Sequence, residues 1–315
     1  MAASDGTVWE PSWNELGQNV NQVSARQEIK QIMKALDSQN LRHAAAAIQA
    51  ADALLITAGA GMGVDSGLPD FRGKDGFWRA YPVIAQLGLS FAEIANPVWF
   101  KDDPQLAWAF YGHRLNLYRA TTPHEGFTKL LTWGADKPEG CFVFTSNVDG
   151  QFQKAGFAPE RIVECHGSIH HFQCTETCSD AIWEAADEHV WLDEGNFRAR
   201  TPLPRCRHCG NLARPNILMF GDSAWIGDRS AAQHQRFEVW MQRLEKKSAK
   251  LLVIELGAGT AIATVRRTSE IRARNLNGTL IRINPREPEA PAGQISLPTG
   301  ALDGIKKLAQ SMDTL

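Results

Sequence analysis

The chain holds six cysteines, and four of them form two close pairs, Cys174-x3-Cys178 and Cys206-x2-Cys209. Two such pairs, separated by residues 179–205 with room for a hairpin, can wrap one Zn2+. Four thiolates close a tetrahedral site and leave no position for a substrate, so the predicted role is structural. Cys141 and Cys165 are bystanders to that set. The opening residues MAASDGTVWEPSW have neither a basic n-region nor an apolar h-region and do not read as a secretory signal. Thiols of an unsecreted, cytoplasmic chain stay reduced, which favours metal over disulfides.

Three further clusters carry chemistry, and each follows a short apolar run. The first is Thr57-Ala-Gly59-Ala60-Gly61, continuing to Pro69-Asp70-Phe71-Arg72-Gly73. Glycines let a backbone approach a pyrophosphate, and a following helix N-terminus offers free N–H groups; glycines that only serve a strand-end turn are the alternative. The second is Thr145-Ser146-Asn147-Val148-Asp149. Polar side chains at the C-terminal end of a parallel strand sit where α/β folds bind ligands, or else Asp149 opens an Asx turn that caps the next helix. The third is Glu164-Cys165-His166-Gly167-Ser168. By residue type His166 is a general base or a structural histidine. Together with His170 and His171 it also suggests metal ligation, although the four cysteines complete a site without histidine.

The elements that must position these groups follow from length and pattern. At 315 residues the chain has room for about two domains and a large core. Its apolar content of 43% and charged content of 22% exclude a wholly disordered or fibrous protein. A formal charge of −2 lacks the basic footprint of nucleic-acid binding, so no direct nucleic-acid partner is expected. No apolar run reaches the length of a membrane helix, so no membrane partner is expected either. Residues 1–25 read as a polar arm without hydrophobic period, and Arg26–Ala50 as helical. Ala53–Thr57, Cys141–Thr145, Ile162–Val163, Leu251–Leu256 and Thr279–Ile283 read as buried strands, with helical spacing over 78–135. Residues 286–297, rich in proline, read as a surface loop. Strands alternating with helices predict an α/β fold with a parallel sheet.

In this order the motifs resemble the sirtuin family of NAD-dependent protein deacylases, in a bacterial-type member, over about residues 41–315. The likeness includes Arg214-Pro-Asn-Ile-Leu-Met-Phe220-Gly221-Asp222 and the turn Gly257-Ala-Gly259-Thr260. It implies a Rossmann-like domain (26–72, 127–166 and 214–315) into which a smaller helical and zinc-binding domain (73–126 and 167–213) is inserted. It also implies removal of acetyl, and in some members succinyl or malonyl, groups from protein lysines, giving nicotinamide and O-acyl-ADP-ribose. Cofactors are NAD as co-substrate and one structural Zn2+; the partner is an acyl-lysine protein or peptide. Carried over, His166 is the general base acting on the ribose hydroxyls. Gly59, Ala60, Gly61, Gly257, Gly259 and Thr260 contact the phosphates, Asp70, Phe71 and Arg72 the nicotinamide-ribose side, and Ser146, Asn147 and Asp149 the nicotinamide pocket. Asn284 and Ala301 lie toward the adenosine, and the peptide adds as a strand beside Phe220 and Gly221.

Tyr111 and Arg114 match the Tyr-x-x-Arg pair of members that accept acidic acyl groups; i and i+3 share a helical face. Otherwise Tyr111 packs in the core and Arg114 makes a surface pair. The family usually has serine where this chain has Gly63, glutamine at Ser146, and Gly-Thr-Ser at Gly257-Ala-Gly259. An ADP-ribosyltransferase or NAD glycohydrolase on the same fold, and a non-catalytic NAD sensor, remain the competing readings.

Overall fold

The computed structural model describes residues 36–70, 77–78, 80–193 and 195–314. The expected arm over 1–25 and the site residues Phe71 and Arg72 lie outside the described residues. Six parallel strands form one sheet in the order β11-β10-β9-β1-β2-β3. These are β1 (Ala53–Ala58), β2 (Cys141–Thr145), β3 (Ile162–Glu164), β9 (Leu251–Leu256), β10 (Thr279–Ile283) and β11 (Ile295–Leu297). Every residue of β1 and of β9 is buried, because helices cover both faces of the sheet.

Side-chain alternation divides that core. Leu54, Ile56 and Ala58 pack with Ala44 and Ile48 of the helix over 36–50, with Phe127 and Leu130 of the helix Glu125–Ala135, and with Ile305 and Leu308 of the helix Ala301–Met312. Ala53 and Leu55 face Phe237, Trp240 and Leu244 of the helix Asp228–Lys246 and Ala273 of the helix Thr264–Asn275. From β1 the chain runs outward through β2 to β3, then returns to the opposite side of β1 at β9. The switch point therefore lies between the carboxyl ends of β1 and β9, where an open α/β sheet forms its ligand crevice.

A second sheet is antiparallel, in the order β5-β4-β8, from β4 (Gly167–Cys174), β5 (Trp183–Glu184) and β8 (Ala213–Ile217). Beside it stands a hairpin of β6 (Leu192–Asp193) and β7 (Arg198–Ala199), between the two cysteine pairs. Trp108, Phe110, Tyr111 and Leu115 of the helix Pro104–Ala120 share a separate core with Phe77, Tyr81, Ile169 and Phe172.

One expectation is corrected. Residues 286–297 are not wholly a surface loop, because Ile295–Leu297 pairs with β10, Ile281 opposite Ile295. Three residues beyond two prolines are too few to show a period, and the edge position tolerates a short strand.

Candidate active site

The two glycine turns meet at the switch point. Gly59 N–H donates to the Leu256 carbonyl (3.0 Å) and Gly61 N–H to the Gly257 carbonyl (3.1 Å). A Cβ on Gly61 would stand 2.7 Å from the Gly257 Cα, and one on Gly59 2.8 Å from the Ala258 Cα. Gly257 adopts φ +59°, and its own Cβ would strike the Gly61 Cα at 2.4 Å. The glycines thus let two backbones cross, a demand that exists before any ligand arrives. At the rim of the crossing, Thr260 gives its N–H (3.1 Å) and its hydroxyl (2.5 Å) to the Glu287 carboxylate. Donors that hold a carboxylate there suit the oxygen of a phosphate, so the turn fits the dinucleotide that the motif implies.

Several expected contacts are engaged within the protein. Asn284 is fully buried: its amide donates to the Ala258 carbonyl (2.8 Å) and its oxygen accepts from the N–H groups of Arg286 and Glu287. It shapes the turn from beneath. Ala301 is buried at the start of the C-terminal helix, and Asp70 pairs with Arg286 of the loop after β10.

The ends of β2 and β3 bring the other groups to the same edge. The Thr145 hydroxyl donates to the Ala58 carbonyl (2.9 Å) and accepts from Asn147 N–H (3.0 Å), while the Asn147 amide donates to the Gly59 carbonyl (3.0 Å). The 145–147 turn is thereby fastened to the first glycine turn. Asp149 is buried, and burial pushes its carboxyl up to about 6. Its oxygen also accepts from Gln151 N–H (2.9 Å), so the Asx turn forms.

His166 sits between β3 and β4, half-buried. Burial lowers its pKa below the ordinary value, and a hydrogen bond to the Ser146 carbonyl opposes that shift without overcoming it. Donating one ring N–H to that carbonyl leaves the other nitrogen a lone-pair acceptor, the state a general base needs near neutral pH. Main-chain bonds fix the segment: Cys165 N–H to the Thr145 carbonyl (2.9 Å) and Leu218 N–H to the His166 carbonyl (3.0 Å). Cys165 packs against the core on the opposite side of the sheet and its thiol is pushed up to about 12. His170 is spent on the Asp149 carbonyl (2.9 Å). Among the described residues neither His170 nor His171 joins a metal cluster.

Toward the second core, Tyr111 stacks on Phe100 (5.7 Å between centroids). Arg114 is buried rather than on the surface; its Nε donates to the Tyr118 hydroxyl (3.0 Å) and its guanidinium lies over Phe110 and Tyr111. Phe220 is exposed in the turn after β8, its N–H given to the Ala95 carbonyl (3.0 Å), and Gly221 has φ +69°. The buried pair Arg214–Asp222, with bonds of 2.7 and 2.9 Å, fastens this turn to β8.

The four cysteine sulfurs lie within 4.8 Å of one another, with Cys174–Cys209 at 3.6 Å and Cys178–Cys206 at 3.7 Å. Tetrahedral zinc with Zn–S bonds of about 2.3 Å needs sulfurs about 3.8 Å apart, so the set fits. His208 N–H donates to the Cys206 sulfur (3.4 Å), support suited to a thiolate.

Comparison with known proteins agrees. The model of the Sir2 family matches residues 59–249. This chain belongs to the Sir2 family. An NAD-dependent protein deacylase of Pyrococcus furiosus is 35% identical over 168 residues, which is 52% of this chain and 59% of that protein. One from Aquifex aeolicus is 29% identical across 79% of this chain and 91% of its own length. Among solved structures, a mutant Sir2 homologue in complex with ADP-ribose superposes with a TM-score of 0.64 at 26% identity, over 86% of this chain and 95% of its own.

Two of this Sir2 member's departures have a local cause or cost. A Cβ on Gly63 would come within 3.0 Å of the Leu68 side chain, so a larger residue there presses on a buried neighbour. At Ser146 the backbone does the work: its N–H bonds the Ala58 carbonyl and its own carbonyl orients His166. Reading motifs named Thr145 without its role as a clasp between the turns and missed Glu287 and Arg266. The Arg266 guanidinium gathers the carbonyls of Ala258, Glu287 and Glu289, locking the loop behind Thr260. No local pattern marks such a residue. Glu255 and Arg282 each left a signal, as a charge inside an apolar strand; they meet at 2.6 Å in the core.

Proposed function

We propose that this Sir2-family chain removes acyl groups from lysines of proteins, using NAD as co-substrate. The observation that carries the reading is His166: neutral, its ring fixed by the Ser146 carbonyl, at the edge where both glycine turns emerge. NAD supplies an activated ribose carbon that accepts the acyl oxygen as nicotinamide leaves. Asn147 and Asp149 shape the nicotinamide pocket, Thr260 with Gly59–Gly61 receives the phosphates, and His166 draws the proton from a ribose hydroxyl. The peptide lies as an added strand along the backbone near Phe220 and Gly221. Zn2+ on Cys174, Cys178, Cys206 and Cys209 holds the small module and takes no part in the chemistry. We assign 26–72, 127–166 and 214–315 to the NAD-binding domain and 73–126 with 167–213 to the inserted one. Four thiols held for Zn2+ accord with a reducing, cytoplasmic setting; no helix of the described residues is long and apolar enough to cross a membrane.

Incubation with NAD and an acyl-lysine peptide tests this reading. Equal amounts of nicotinamide and acyl-ADP-ribose are expected, and His166→Ala abolishes both products of net turnover. Nicotinamide release without peptide would instead indicate NAD hydrolysis. Because the base works unprotonated and its pKa is lowered, kcat/KM falls only as pH drops through a midpoint below about 6.5. A midpoint above that value contradicts the assignment.

Tyr111 and Arg114 set the acyl range. The Arg114 guanidinium, caged by Phe110 and Tyr111, carries the positive charge that an acyl carboxylate pairs with. Arg114→Met is expected to weaken desuccinylation by at least about tenfold more than deacetylation, the worth of one charge-assisted bond. Equal losses on the two peptides would sink the idea.

A further inference from the structure

We infer that Glu164 is a positioning residue for the base, acting from two residues away through the helix Asp228–Lys246; the inference rests on the deacylase reading above. Glu164 is buried at the end of β3, and four bonds join it to that one helix. Its N–H donates to Gln233 Oε1 (3.0 Å), and its carbonyl accepts from the Ser230 hydroxyl (2.8 Å). Its carboxylate Oε2 accepts from Arg229 Nη2 (2.5 Å) and Gln233 Nε2 (3.4 Å). Main chain and side chain are thus both clamped, and the clamp sits on the first turns of a 19-residue helix, where an anion is favoured.

The geometry explains why the clamp bears on His166. Past Glu164 the chain leaves β3, and Gly167 already belongs to β4 of the other sheet, at φ +80°. A Cβ on Gly167 would fall 2.1 Å from the Asn216 carbonyl oxygen, so the strand after the base has no slack. His166 therefore spans two sheets, with rigid β8 contacts on one side and the Glu164 clamp on the other. The carboxylate is not among the groups that shift the His166 pKa, which burial and the Ser146 carbonyl determine. Glu164 acts on where the imidazole stands rather than on how basic it is. A displacement on the order of 1 Å at a reacting group costs roughly 100-fold.

The two halves of the reaction separate this role from loss of structure. Nicotinamide leaves as the ribose C–N bond breaks and the acyl C=O oxygen bonds the same carbon; no general base is needed there. Reversal of that half is read as exchange of labelled nicotinamide into NAD in the presence of acetylated peptide. The base is needed only afterwards. We would measure exchange and acetyl-ADP-ribose formation for the full chain and for Glu164→Gln, Glu164→Asp and Ser230→Ala, each normalised to its folded, zinc-loaded fraction. Ser230→Ala removes one hydroxyl and is the variant least apt to misfold. The expected result is a raised ratio of exchange to deacylation, roughly 100-fold for Glu164→Gln and roughly 5-fold for Ser230→Ala, with an unchanged acid-limb midpoint. Partial recovery in Glu164→Asp accompanies it. Parallel loss of exchange and deacylation overturns the inference, as does a shifted midpoint. Absence of both activities in the unaltered protein would instead overturn the deacylase reading.

Discussion

At Asp149 the protein holds a buried acid that costs stability. Burial raises its carboxyl from an ordinary 3.8 to about 6, against the favourable bond from Gln151 N–H. The folded state therefore keeps a proton, between those two values, that the unfolded chain has released. Wild-type stability from this group is fully present below about pH 4, falls as pH climbs to about 6 and stays low above it. Asp149→Asn keeps the Asx turn, because the amide oxygen still accepts, and carries no charge. We expect it to be more stable than wild type by roughly 1–3 kcal/mol at pH 7.5 and equal at pH 4, with deacylation reduced at both. Thermal melts across that range check this; an Asn variant less stable at pH 7.5 refutes the burial argument. A functional carboxylate at the cost of stability is what a binding pocket, rather than a cap alone, leads one to expect.

Elements impose their own test where β1 and β9 end. Gly61→Ala meets backbone on the facing turn, and backbone cannot swing aside as a side chain can. Gly67 has φ +88° with nothing within 4 Å, so Gly67→Ala carries only the strain of that conformation. The first is expected to destabilise by at least about 3 kcal/mol and to abolish NAD binding in calorimetry; the second costs about 1–2 kcal/mol and leaves binding intact. Equal effects on NAD affinity would mean that the crossing of the turns is not what the glycines serve. This pair also marks how far the sequence could be read. Apolar runs disclosed β1, β2, β3, β9 and β10, since strands buried on both faces need no period. They disclosed the glycines at 59 and 61 but not the reason, because the crossing partner, Gly257, lies far along the chain. β11 was hidden by its length, and the internal engagement of Asn284 by the fact that a motif names a residue without saying which of its atoms are free. The four cysteines were legible from their spacing, whereas residue type left His166 open between a base, a metal ligand and a structural histidine, and only the family resemblance singled it out.

Among the described residues the core falls into separate clusters, and Trp78, Trp99, Trp108, Trp133, Trp183 and Trp240 are divided between them, while Trp191 is exposed. Trp108 is fully buried in the core of the helical and zinc-bearing part, with Trp78, Trp99 and Trp183 packed against it. Trp133 and Trp240 belong to the two faces of the large sheet. Zinc links the loop after β4 to the loop before β8, so its binding energy is folding energy for the smaller part. Cys206→Ser, or a chelator added to the full chain, should therefore lower the denaturant midpoint of tryptophan fluorescence, to which Trp78, Trp99, Trp108 and Trp183 of that part contribute. Far-UV dichroism, dominated by the helices around the parallel sheet, should follow at a higher midpoint. Non-coincident transitions would show that removing the metal uncouples what it normally joins. Two transitions that shift together would mean that the bonds His170–Asp149, Gln151–Tyr118 and Asn216–Gln173 bind both parts into one cooperative unit without zinc. The first outcome is expected, because those contacts hold only the seam, whereas Trp108 and its neighbours depend on β4 and β8 staying paired through the residues that carry the cysteines.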